Sequence, residues 1–249
     1  MKRIAFLFAA AALASCGPKN STAMTENKYE TESFTTKSGK NVEITLIKHG
    51  SLAVSFDGRT IQIDPVADLG EHTDYAADFG KADFILVTHE HYDHLCDSTV
   101  RVLTGENTKI FINAAGKEQL GYGEAIGNGE TYRLTENISL EAVPAYNTTD
   151  GREKFHPAGN GNGYVLDIDG LRIYIAGDTE DIPEMAGLKD IDVAFLPVNQ
   201  PYTMTVPQCV AAARMIAPKV LIPYHSSETD LSQLPELLPE IDVRIRNMQ

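Results

Sequence analysis

Residues 84–94 read Phe84-Ile85-Leu86-Val87-Thr88-His89-Glu90-His91-Tyr92-Asp93-His94. Four apolar residues, expected as a buried strand, run straight into three imidazoles and the Asp93 carboxylate within six residues. In an extended backbone His89 and His91 point to the same side, so one ion can take a ring nitrogen from each. Asp93 and His94, in the turn that follows, can aim at a second ion nearby. Solvated histidines would need no such spacing.

The same design recurs at two later points. Arg172-Ile173-Tyr174-Ile175-Ala176 leads into Gly177-Asp178-Thr179, and Val220-Leu221-Ile222 leads into Pro223-Tyr224-His225. Each is an apolar strand ending at a potential ligand. Open α/β sheets place their sites outside the carboxyl ends of strands, so three such ends can converge on one crevice.

From residue 42 onward, short β-branched runs alternate with Gly, Asn and Asp turns, which implies a strand-rich α/β domain. Strands are expected at 42–47, 52–56, 59–63, 84–87, 109–112, 131–134, 138–143, 164–168, 172–176, 193–196 and 220–222, with Asp57-Gly58 a hairpin turn. The clearest helix begins after Thr205, whose hydroxyl can cap it with Gln208 three residues on, and stops before Pro218. Weaker helical patterns lie at 98–103, 115–120, 182–188 and 231–238.

The set His89-x-His91-x-Asp93-His94, a later Gly177-Asp178-Thr179 and a terminal His225 resembles the metallo-β-lactamase superfamily over nearly the whole domain. That resemblance implies an αββα four-layer sandwich, two mixed β-sheets flanked by helices, with one or two metal ions at one edge. It implies His89, His91, Asp93, His94, Asp178 and His225 as ligands, with Asp178 bridging the ions. Ile63-Asp64-Pro65, Thr88 and Tyr92-Asp93-His94-Leu95 look most like the branch that holds ascorbate-phosphate lactonases, small metal-dependent hydrolases and the phospholipase D acting on N-acyl phosphatidylethanolamine.

One departure stands out. Where the family usually offers another histidine after the strand containing Leu140-Glu141-Ala142-Val143, this chain reads Pro144-Ala145-Tyr146-Asn147. His156, nine residues later beside a glycine-rich segment, can swing in and complete the first metal's set; otherwise Asn147 or water fills that position. Gly159, Gly161 and Gly163 fit neither nucleotide fingerprint and suggest a mobile lid. His49, in Lys48-His49-Gly50-Ser51, resembles a Gly-His-Ala segment found early in this branch and is expected, with Tyr224, to face the substrate. His72 has no such support and reads as surface.

Nitrogen and oxygen ligands without cysteine suit a pair of zinc ions, and manganese or iron accepts the same set. The expected chemistry is metal-activated hydroxide attacking an ester, lactone or amide of a small molecule, with Asp93 and Asp178 offsetting part of the ions' charge. A phosphodiesterase acting on phospholipid-like substrates and a non-enzymatic metal-binding lipoprotein are the alternatives. No Gly-x-Ser-x-Gly elbow offers a serine nucleophile.

Thirty-five Asp and Glu against 21 Lys and Arg give a net charge of −14, without a lysine-rich run, which points away from nucleic acid. Met1-Lys2-Arg3, an apolar stretch at 4–13 and Leu13-Ala14-Ser15-Cys16 follow the order of a secretory signal peptide. Its end resembles the lipobox of bacterial lipoproteins, which implies export, cleavage after Ser15 and lipidation of Cys16. The apolar stretch is about half of the ~20 residues that span a bilayer, so the lipid would be the only membrane attachment. Residues 1–15 thus read as signal peptide, 16–40 as polar tether and 41–249 as one domain, with Cys96 and Cys209 as two free thiols.

Overall fold

The computed structural model describes residues 28–248; the expected signal peptide, Cys16 and the first part of the tether lie outside them. The first sheet runs in chain order through β1 (Glu30–Thr35), β2 (Asn41–Lys48), β3 (Ser51–Phe56), β4 (Arg59–Ile63), β5 (Ala82–Val87), β6 (Thr104–Ile112) and β7 (Glu124–Ala125). The second runs from β8 (Thr131–Arg133) through β9 (Ile138–Ala145), β10 (Gly161–Ile168), β11 (Leu171–Ile175), β12 (Val193–Pro197) and β13 (Val220–Tyr224) to β14 (Asp242–Val243). Each begins as an antiparallel meander and turns parallel at its fourth strand, so both sheets are mixed.

The strand alternation shows how two layers become four. In β5, Phe84 and Leu86 face the space between the sheets, where they meet Ile173, Phe195 and Ile222 of the other sheet. Ile85 and Val87 face outward and pack with residues of α2 (Asp97–Leu103). In β12, Val193 and Phe195 point inward while Ala194 and Leu196 point out toward α4 (Val206–Ile216). Strands apolar on both faces can exist only if both faces are covered, and that demand forces the outer helices. The short α1 (Tyr75–Asp78) and α3 (Ala114–Leu120) complete one outer layer, and a 3-10 turn at Pro183–Gly187 with α5 (Leu234–Leu237) the other. The αββα sandwich is as expected. So is the capping box, with Thr205 and Gln208 satisfying each other's backbone N–H groups at the start of α4.

The tether is corrected. Residues 30–35 are not a linker but an edge strand in full antiparallel register with β2, so the folded domain begins before residue 41. Its sequence, Glu-Thr-Glu-Ser-Phe-Thr, hides the strand because its buried inward group is a carboxylate: Glu32 receives Arg244, and Arg246 donates to it through Nε at 2.7 Å. The lid is corrected too. Gly161 and Gly163 belong to β10 and permit close strand packing: a Cβ on Gly163 would lie 2.9 Å from the Ala176 carbonyl oxygen. Cys96 and Cys209 are free thiols, the first half-buried and the second buried. Among the described residues no helix is long and apolar enough to cross a membrane.

Candidate metal centre

Four strand ends on one edge of the sandwich supply the site. β5 delivers His89, β11 delivers Asp178 through Gly177, β13 delivers His225, and β4 delivers Asp64. The left-handed Gly177 (φ 63°) lets Asp178 come forward, since a Cβ there would sit 2.7 Å from the Asn162 carbonyl oxygen. His49, Asp64 and His225 also hold positive φ, between 43° and 49°. Non-glycine residues rarely adopt that conformation, and three of them in one cleft mark a place where packing imposes strain to aim side chains.

The side chains group around two points. His89, His91 and His156 form one cluster and His49, Asp93, His94 and His225 another, while His89 and His94 also group with Asp178, which links the two; the ligand atoms of each group lie within 4.8 Å of one another. His89 Nε2 and His91 Nδ1 approach to 3.0 Å across the bend that follows β5. Asp178 stands between the groups: Oδ2 lies 3.1 Å from His156 Nε2 and 3.4 Å from His225 Nε2, and Oδ1 lies 3.3 Å from His94 Nε2. Asp93 Oδ2 lies 3.2 Å from His49 Nε2 and 3.7 Å from His225 Nε2.

The His89–His91 and His49–Asp93 contacts are aligned hydrogen bonds, but those around Asp178 are close without being directed. The Nε2 atoms of His94, His156 and His225, together with Asp178 Oδ1, are buried and have no aligned hydrogen-bond partner. Orphaned buried polar atoms are costly, and four of them in one cleft would be hard to tolerate. Their lone pairs converge on shared points rather than on one another, as ligands around a cation do. The residues present therefore fit a pair of metal ions.

The shifts at His89, His91, His49, Asp93 and Asp178 agree with ligation, and the shift at His94 opposes it until a cation takes the place of the proton. Burial lowers the pKa of His89, His91 and His49, which favours neutral imidazoles. Burial alone would raise Asp93, but His225 and His49 outweigh it and hold the carboxyl well below its usual range. Asp178 is likewise held low by His225 and His94 against its burial. For His94, burial is overcome by Asp178 and Asp64, which favour its charged form.

Asp64 is the residue that sequence reasoning left in the background. Fully buried, it accepts the Thr88 backbone N–H and hydroxyl at 2.7 Å each and faces His94 Nδ1 at 2.8 Å. A carboxylate on the far nitrogen fixes both ring orientation and tautomer and leaves Nε2 as the ligand atom. The available signal was Ile63-Asp64-Pro65, a carboxylate at the end of the short strand β4. Asp64→Ala is expected to weaken metal binding by roughly 10–100-fold; titration of the apoprotein with a metallochromic competitor reads this.

His156 stands where the family histidine is lacking because the chain brings it back. Asn147 N–H donates to the His156 carbonyl at 2.9 Å, and both side chains reach the Tyr202 carbonyl. Buried Glu180 anchors the intervening loop, accepting the N–H groups of Thr148 and Thr149 at 2.8 and 2.7 Å. His49 lines the cavity and also groups with the candidate ligands Asp93, His94 and His225, its ring packing on that of His225 with centroids 3.6 Å apart. Tyr224 is corrected: it is buried beneath the site, where its hydroxyl accepts the Gly177 N–H at 3.0 Å, so it supports Asp178 and does not meet substrate. His72 is exposed beside Asp68.

A cavity of about 620 Å³ opens over both clusters. The model of the Beta-lactamase superfamily domain matches residues 43–225, from β2 to His225. A UPF0173 metal-dependent hydrolase of Pyrococcus furiosus is 32% identical over 194 residues, which is 74% of this chain and 84% of that protein. A solved metal-dependent hydrolase candidate from Parabacteroides distasonis is 53% identical with a TM-score of 0.85, covering 89% of this chain and 100% of that one. Igni18, a metallo hydrolase from Ignicoccus hospitalis, superposes with a TM-score of 0.69 at 26% identity, covering 83% and 95%. The fold, the two ligand clusters and these likenesses agree: the chain belongs to the beta-lactamase superfamily.

Proposed function

We propose that the protein, a metal-dependent hydrolase of this superfamily, cleaves an ester, lactone or amide bond in a small molecule. The observation that carries this is the pair of ligand clusters joined by Asp178 at the floor of an open cavity. His89, His91, His156 and Asp178 would hold one ion, and Asp93, His94, His225, His49 and Asp178 the other. The all-nitrogen-and-oxygen donor set favours zinc, with manganese or iron as accepted substitutes. A bound divalent ion lowers the pKa of a coordinated water to about 7 and polarises a carbonyl oxygen.

The chain's own groups do the rest. Asp64 orients His94, and Tyr224 steadies the Gly177 turn beneath Asp178. The Asn199 amide lies 3.4 Å from His225 Nδ1 and supports that ring. Asp93 and Asp178 offset part of the charge that two ions bring. Among the described residues no Lys or Arg lines the cavity, so nothing besides the ions would meet the single negative charge of a phosphodiester. That favours a carbonyl substrate over a phosphoryl one.

Metal analysis of purified protein followed by matched chromogenic lactone, ester, amide and bis-nitrophenyl phosphate substrates tests the reading. Two ions per chain with carbonyl turnover exceeding phosphodiester turnover is the expected result. Equal or greater phosphodiester turnover would reverse the choice. We also propose export and lipid anchoring at Cys16, supported by Leu13-Ala14-Ser15-Cys16. Cys16→Ala should then release the protein from the membrane fraction.

A further inference from the structure

The cavity mouth is built from two unlike features. Tyr92 is 78% exposed and Tyr202 47% exposed, yet both line the cavity, and Phe155 backs Tyr202 edge-on with ring centroids 5.0 Å apart. Large aromatic side chains left in water at the lip of a concave site, rather than scattered singly, are what an apolar ligand group would cover. Tyr92 also has little freedom of placement, since its neighbours His91 and Asp93 belong to the two clusters.

The second feature is charge. Glu228 lines the same mouth three residues beyond His225, is exposed, and belongs to neither ligand cluster. Asp93 and Asp178 would be balanced by the ions, so Glu228 is the carboxylate of the wall that remains for the substrate's distal end to meet. Lys154 is near but outside the wall, its ammonium 5.1 Å from the centre of the Phe155 ring.

We infer that the cleft selects substrates whose end remote from the reacting carbonyl is aromatic and carries no negative charge, with Tyr92 and Tyr202 covering the ring and Glu228 rejecting anions. This rests on the reading of the two clusters as a metal site. It adds a specificity element that neither the ligands nor the fold supply. Rejection acts through an exposed carboxylate, so it weakens as ionic strength rises.

Three hydroxamates sharing one metal-binding head but ending in phenyl, carboxylate or ammonium separate these contributions by calorimetry on zinc-loaded protein. The phenyl compound should bind tightest and the carboxylate weakest. Tyr92→Ala and Tyr202→Ala should each weaken the phenyl compound about fivefold. Glu228→Lys should shift the carboxylate-to-ammonium affinity ratio about tenfold toward the carboxylate at low salt, with Glu228→Gln between. The inference is overturned if the carboxylate compound binds as tightly as the phenyl one, if none binds, or if Lys154→Gln rather than Glu228→Lys moves the ratio. Ester turnover is measured separately on the same preparations. Discrimination among hydroxamates without turnover of any ester would fault the hydrolytic reading and leave this one standing; turnover without discrimination would do the opposite.

Discussion

Replacing Asp178 by alanine should empty both metal positions together and lower activity by more than the roughly 100-fold typical of losing a group that only orients a ligand. Its two oxygens face histidines from both clusters, at 3.1 to 3.4 Å, so neither cluster keeps its charge balance without it. The neighbouring carboxylate, Asp93, touches only His49 and His225 in the second cluster and should cost one ion, not two. Stability should follow occupancy. Each ion present at a thousandfold excess over its dissociation constant stabilises the native state by about 4 kcal/mol, so two ions give about 8 kcal/mol, and for a domain this size that is a melting shift of roughly 20 °C. Chelation should therefore lower the melting temperature of the wild type by about that much and leave Asp178→Ala nearly unmoved. Scanning calorimetry with and without chelator, alongside elemental analysis, checks both halves. A wild-type melting temperature indifferent to chelator would remove the metal from the account of the fold, and two ions retained in Asp178→Ala would remove the bridge.

Much of this centre was legible in the chain because the information is local. His89, His91, Asp93 and His94 lie within six residues in the loop and turn that directly follow β5, so one strand end carries them all to the site. Asp178 and His225 each close an apolar run that must be a buried strand, and buried parallel strands deliver their ends to a common edge.

What stayed hidden depends on pairing across the chain. β1 is polar because an edge strand needs one ladder, and its inward Glu32 is matched by Arg244 and Arg246, more than two hundred residues away. The glycines at 161 and 163 resembled a flexible loop, but the reason for them is the proximity of Ala145 and Ala176, visible only once β9, β10 and β11 are side by side. Tyr224 next to His225 looked like a site residue by adjacency, and alternation along β13 turns it into the core instead. Asp64 carries no motif of its own beyond ending a strand; its importance is its 2.8 Å approach to a ring thirty residues later.

The second large effect is expected at His156, where the chain departs from its family. The structure gives the departure a cause: Asn147 and His156 share a backbone hydrogen bond, and the loop between them is pinned by Glu180, so the later residue's ring is carried to the cluster of His89 and His91. His156→Ala should weaken the first ion by more than about 100-fold, since a ligand rather than its support is lost. The second ion should stay, because His49, Asp93, His94 and His225 are untouched. Elemental analysis should then give one ion per chain, and the loss of melting temperature on chelation should fall short of the wild type's. Asn147→His in the same background tests the geometry itself. Asn147 is buried, and its Oδ1 has no hydrogen-bond partner, so an imidazole there forfeits only the bonds that Nδ2 donates to the carbonyls of Arg152 and Tyr202. The double variant should regain part of the lost ion and part of the activity. If His156→Ala keeps two ions and full activity, the imidazole only braces the Tyr202 carbonyl, 3.0 Å from its Nδ1, and the first ion is closed by Asn147 or by water.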